Sequence, residues 1–176
     1  MKEKRNYLDL KNIPLFYQSY LFKYVSRVKE NFNDELLSVI LFGSLARKNW
    51  SINSDIDLLL IFSNEITNIS VLDKKLTDLT IEFYENNELK DEKGKKIYPP
   101  IQKVALSLMD LNKFRTLFYD IATDGIILFD KDDIGLIFIR KIKQRIKEKG
   151  LKRIYLGKNN FYWKRKKIKF GEIVEL

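Results

Sequence analysis

The chain has 176 residues, 45% hydrophobic and 32% charged, which fits one globular domain, or one domain with an appendage, and excludes a disordered chain. It contains neither cysteine nor histidine, so disulfides, thiolate sites, His-ligated zinc, a Ser-His-Asp triad and any histidine base are excluded. The net charge is +9, yet Phe138 to Phe170 hold fourteen basic residues against Glu148 alone, so the rest of the chain is net acidic.

In chain order, Pro14 to Phe32 reads as a first helix with an apolar period near 3.6, stopped by Asn33-Asp34. Its aromatic stripe (Phe16, Tyr17, Tyr20, Phe22, Tyr24) reads as packing. Leu36–Phe42 is a short continuous apolar run ending in Gly43-Ser44, which predicts a buried strand. Ser44 to Lys48 predicts a short helix, and Leu58–Phe62 a second buried strand. Val71 to Asn87 reads as a helix with Leu72, Leu76, Leu79 and Phe83 on one face. A charged loop runs from Asn86 to Lys96 around Gly94, and Ile101–Leu108 reads as the third strand. A helix from Asp110 to Thr123, a short strand Ile126–Phe129 and a basic helix from Asp132/Asp133 to Lys149 follow, the last closed by Gly150. Arg153–Leu156 and the aromatic-basic stretch Phe161–Lys169 read as strands. No apolar run approaches the roughly 18 residues that span a bilayer. The charged start lacks the apolar stretch of a secretory signal, so the expectation is a cytoplasmic protein without membrane contact.

Chemistry concentrates between the first two strands. In Ser54-Asp55-Ile56-Asp57 the two carboxylates, two residues apart at a strand start, share one face. Their mutual repulsion calls for a cation, and with no sulfur or imidazole in the chain an oxygen-ligated Mg2+ or Mn2+ is the expected partner. Gly43 lets backbone approach closely, and the helix start behind it suits a phosphate. Arg47 and Lys48 read equally as triphosphate partners or as ordinary surface cations.

Gly43-Ser44, ten intervening residues and Asp55-x-Asp57, with apolar strands on both sides, resemble the signature of the polymerase-beta-type nucleotidyltransferases, minimal archaeal and bacterial members above all. The resemblance implies an α/β (α+β) fold with a mixed sheet flanked by helices. It implies NTP as substrate, phosphates held at Gly43 and Ser44, and Asp55 and Asp57 as catalytic metal ligands for transfer of an NMP to an acceptor hydroxyl with release of pyrophosphate. On this reading residues 1–110 form the nucleotidyltransferase domain with its N-terminal helix, and residues 111–176 a basic α/β extension packed on it.

Related enzymes place a third carboxylate on the next strand, but Ile101–Leu108 contains no acid. Glu82 and Asp110 are the two candidates. Glu82 qualifies if Leu79–Tyr84 is a strand rather than part of the helix, and Asp110 equally reads as a helix cap. A catalytically degenerate protein that binds nucleotide or nucleic acid is therefore the alternative. So is an antitoxin-like partner of a HEPN-type protein, which the resemblance also implies. Trp163 with Lys164, Arg165, Lys166 and Lys167 offers an RNA contact through stacking and phosphate charge; the competing reading packs Phe161 and Trp163 inward and leaves the cations solvated. The acceptor, RNA or protein, is left open.

Overall fold

The computed structural model describes residues 10, 13–52, 54–64, 68–157 and 160–165. Strands β1 (Leu36–Phe42) and β2 (Ile56–Phe62) form an antiparallel pair at the centre of a four-stranded sheet. β5 (Ile101–Ser107) runs parallel to β2, and β6 (Ile126–Asp130) runs antiparallel to β1, giving the order β5-β2-β1-β6. Both central strands are apolar on both faces, apart from Ser38 in β1 and Asp57 in β2, because helices cover both sides of the sheet.

One face of the sheet carries Val39, Leu41, Leu58 and Leu60, packed against α1 (Leu15–Phe32) and α3 (Ile69–Asn86). Tyr17, Leu21, Tyr24 and Val28 of α1 follow the 3.6-residue period into this layer, and α3 contributes Leu72, Leu76, Leu79 and Phe83. Phe22, predicted to pack with the aromatic stripe, is instead exposed. The other face carries Ile40, Phe42, Leu59 and Ile61 against Phe118 and Ile121 of α4 (Leu117–Asp124) and Phe138 and Ile142 of α5 (Ile134–Glu148). A hairpin of β7 (Leu151–Tyr155) and β8 (Phe161–Arg165) follows α5, with Trp163 packed against Tyr119.

Leu79–Tyr84 is helical inside α3, in line with the helix read over Val71 to Asn87; the Thr80 hydroxyl donates to the Leu76 carbonyl at 2.6 Å and the aliphatic face settles the period. Two other segments differ from the sequence expectation. The charged loop folds into a small hairpin of β3 (Leu89–Lys90) and β4 (Lys96–Ile97), because Asp91 Oδ1 accepts from the backbone N–H of Lys93 and Lys95 and Gly94 takes a φ of +78°. The helix expected from Asp110 is interrupted: Asp110–Asn112 forms a single 3-10 turn, Lys113 is extended, and α4 starts only at Leu117.

A buried carboxylate ties β6 to α5. Asp130 accepts from the N–H of Gly135 at 2.6 Å and of Leu136 at 3.0 Å, two donors in the first turn of α5 that the helix itself cannot satisfy. Burial pushes its carboxyl pKa up, and these hydrogen bonds offset only part of that rise. Asp130→Ala strands both donors, and a loss of about 2 kcal/mol is expected in urea unfolding.

Candidate active site

The register of the central hairpin builds the site. Phe42, the last residue of β1, pairs with Asp57, so the chain turns at Gly43 directly over the Asp57 carboxylate. Gly43 has a φ of +74°, and a Cβ placed there would overlap Asp57 Oδ2 and stand 2.7 Å from Cγ. Only glycine combines that backbone conformation with so close an approach. The short helix α2 (Gly43–Ala46) follows, with the Arg47 N–H donating to the Gly43 carbonyl at 3.1 Å. Ser44 is half-buried beside the turn, Arg47 half-buried and Lys48 exposed. Before β2, Ser54 closes a turn by donating to the Ser51 carbonyl at 3.0 Å and accepting from the Ser51 N–H at 2.8 Å. Asn53, read with Ser54 as turn chemistry, lies outside the described residues.

Electrostatics single out Asp57. Burial is the largest influence raising its pKa, the charge of Asp55 raises it further, and the Arg47 guanidinium pulls it partly back. Two carboxylates with one of them desolvated, facing a backbone cradle that a Cβ would fill, form a site with excess negative charge and hard oxygen donors. That donor set fits a divalent cation which takes its other ligands from water and substrate phosphates. Among the described residues no group of three or more acidic side chains comes together to hold a metal by protein ligands alone.

The two further candidate acids lie elsewhere. Glu82 sits on the outer surface of α3, ion-paired with Arg27 of α1. Asp110 follows Ser107, which pairs with Phe62 at the end of β2 opposite Asp57, roughly 16 Å along the strand. Its carboxylate is occupied by Ser107 and by Lys113 at 3.0 Å. The β5 residue that pairs with Asp57 is Gln102, a neutral amide. Sequence reading had no signal for Gln102, because parallel register between strands separated by a helix is not written in either strand. Glu82→Gln is expected to leave nucleotide turnover within about twofold of wild type, as an exposed substitution away from the site; a steady-state rate comparison tests it.

Tyr84 and Pro100 fasten β5 beside the aspartates. The Tyr84 hydroxyl accepts from the Ile101 N–H at 2.6 Å, and the Ile56 N–H donates to the Pro100 carbonyl at 2.8 Å. The charge of Asp55 reaches Tyr84 and helps, after burial, to raise its phenol pKa.

Arg47 and Lys48 open onto a cavity of about 580 Å³ that passes Gly125, Ile127 and Asp130 to Leu136 and Lys143 of α5. Phe161 of the terminal hairpin lies between two guanidinium groups, Arg47 at 5.4 Å and Arg153 at 4.3 Å from its ring centre. Trp163 is turned inward: its indole donates to Asp120 Oδ1 at 2.8 Å, beside the Arg153–Asp124 pair at 2.7 Å. Lys164 is exposed and Arg165 half-buried, whereas Lys166 and Lys167 lie outside the described residues.

The chain is similar to several known proteins. Residues 26–134 match the family model described as "Polymerase beta, Nucleotidyltransferase". A Methanocaldococcus jannaschii relative with the provisional name protein adenylyltransferase MJ1305 is 32% identical over 126 residues, covering 71% of this chain and 80% of its own. A solved toxin–antitoxin structure with AMP-PNP is 16% identical, covering 72% of this chain and 87% of that one at a TM-score of 0.47. A solved structure of a tri-AMPylated Shewanella oneidensis HEPN toxin in complex with MNT antitoxin is 16% identical, covering 74% of this chain and 87% of that one at a TM-score of 0.45.

Proposed function

The chain belongs to the polymerase beta nucleotidyltransferase family, and from that premise we propose that Asp55 and Asp57 are its catalytic pair, working with Mg2+ or Mn2+ to move an NMP from an NTP to an acceptor hydroxyl. The observation that carries this reading is Asp57: desolvated, repelled by Asp55, and pressed against the backbone of Gly43. The bound cation would neutralise phosphate charge on the NTP and on the departing pyrophosphate. Gly43 and Ser44 hold the β- and γ-phosphates where the backbone can approach them, and Arg47 or Lys48 adds positive charge from the end of α2. The acceptor oxygen bonds to the α-phosphorus, the α–β anhydride bond breaks, and pyrophosphate leaves. Positioning and charge neutralisation supply most of the rate, since phosphoryl-type transfer asks little covalent chemistry of the protein.

The name of the M. jannaschii relative supports AMP as the transferred group and a protein hydroxyl as the acceptor. Gln102 opposite Asp57 favours a second reading, a site that binds metal–nucleotide without turning it over for want of a third carboxylate. Incubation with each NTP labelled at its α-phosphate, with Mg2+ or Mn2+ and a cell extract, separates the two. Label transferred to a protein or RNA band, and lost in the Asp55/Asp57 double variant, supports the enzyme. Metal-dependent nucleotide binding without transfer supports the second reading.

A further inference from the structure

We propose that the outer face of the β7–β8 hairpin, together with one stripe of α5, binds a single strand of RNA. On the hairpin, Lys152 pairs directly with Lys164, and both are exposed. Like charges directly opposite one another weaken a two-stranded ribbon, and among the described residues no salt bridge holds either of them. On the inner face of the same hairpin Arg153 pairs with Asp120 at 3.2 Å and Asp124 at 2.7 Å. The acids of this region are thus spent inward while the outer lysines are left as a pair.

The same arrangement recurs on α5. Arg140, Lys143 and Lys147, at i, i+3 and i+7, form one exposed stripe with no acidic partner among the described residues. Lys143 and Lys147 are like charges at i,i+4, which costs helix stability. Glu148, the one acid in α5, accepts instead from Gln144 at 2.7 Å. The stripe ends where Gly150, with a φ of +58°, turns the chain into β7 and Lys152. At its other side Lys143 lines the cavity that Arg47 and Lys48 also line, so the cations extend from the hairpin to the edge of the candidate active site.

Charge alone fits any polyanion; Tyr162 narrows the class. It lies two residues from Lys164 on the same outer face, 44% exposed, and stacks on no other ring among the described residues. A flat aromatic paired with Ile154, one same-face row along the hairpin from the lysine pair, matches an unpaired base next to its phosphates, which is how single strands are held without sequence preference. A base uses the face of the ring together with the lysines, whereas an acidic surface is recognised by the lysines first. The stacking residue is therefore Tyr162, not Trp163, whose indole is committed to Asp120.

Fluorescence anisotropy of labelled oligouridine against the full chain tests this over a range of salt. Five neutralised phosphates predict a log K against log salt slope of about −3.5 for a single strand. Lys152→Glu with Lys164→Glu should weaken binding about tenfold or more, and Lys152→Gln with Lys164→Gln should flatten the slope by about 1.4. Tyr162→Ala should weaken binding about tenfold at an unchanged slope. Asp57→Asn should bind as wild type does, which keeps this surface separate from the transfer reaction. Unchanged affinity and slope in the lysine variants overturns the proposal. So does polyglutamate competing as well as oligouridine, which would assign the surface to an acidic protein.

Discussion

Asp57→Asn, alone or with Asp55→Asn, is expected to abolish nucleotidyl transfer while leaving the metal-free fold at least as stable as wild type. The two halves of that result come from one fact. Asp57 is held in a half-buried position beside a second carboxylate, and both influences raise its pKa above the unfolded value of about 3.9. An acid whose folded pKa is raised binds its proton more tightly in the native state. Its contribution to stability is therefore greatest at low pH, declines as pH rises from the unfolded to the folded value, and is a constant penalty above that. At neutral pH asparagine removes the penalty. A divalent cation is the natural means of offsetting it in the wild type, so Mg2+ should raise the melting temperature of wild type and not of the variant. On the proposed role of Asp57 as a metal ligand, its removal forfeits several kcal/mol of transition-state charge stabilisation, so transfer should fall by about 10³-fold or more. Thermal melts with and without Mg2+, beside a label-transfer assay, read both halves. A variant that melts lower without metal and still transfers label would take Asp57 out of the reaction.

The parts of this site that were legible in the sequence are those that local chemistry dictates. The apolar runs before Gly43 and after Asp57, short and bounded by turn residues, read as strands buried on both faces, and the period-2 spacing of Asp55 and Asp57 put both carboxylates on one side. The antiparallel pairing of those strands then brings Asp57 under Gly43, with Phe42 opposite it. What was not legible depends on contacts distant in sequence. Glu82 was ambiguous because Leu79–Tyr84 alternates like a strand, and only packing against α1 decides for a helix. Gln102 meets Asp57 through a parallel register that no local rule specifies. The inward packing of Trp163 was one of the two readings of its strand, but its anchor, Asp120, lies 43 residues earlier in the chain. The start of α4 was missed because Asp110 looks like a helix cap and instead folds back on Ser107, at 2.8 Å from its hydroxyl.

Gly43→Ala carries the second large effect, and a second glycine supplies its control. Gly43 and Gly94 have nearly the same φ, +74° and +78°. An L residue in that region costs about 1–2 kcal/mol, so alanine at either position should lower stability by that amount on backbone grounds alone. Their surroundings differ completely. A Cβ at Gly94 meets nothing within 4 Å, whereas one at Gly43 lands on Asp57 and must drive its carboxylate away from Asp55 and out of the cradle. Displacing a reacting group by about 1 Å can cost roughly 10²-fold in rate. Gly94→Ala is therefore expected to unfold at lower urea and transfer label at the wild-type rate. Gly43→Ala should lose more stability than Gly94→Ala and nearly all transfer, with metal-dependent nucleotide binding weakened alongside. Equal losses of activity in the two variants would make the effect general destabilisation. Loss confined to Gly43→Ala would tie catalysis to the contact between one backbone turn and one carboxylate.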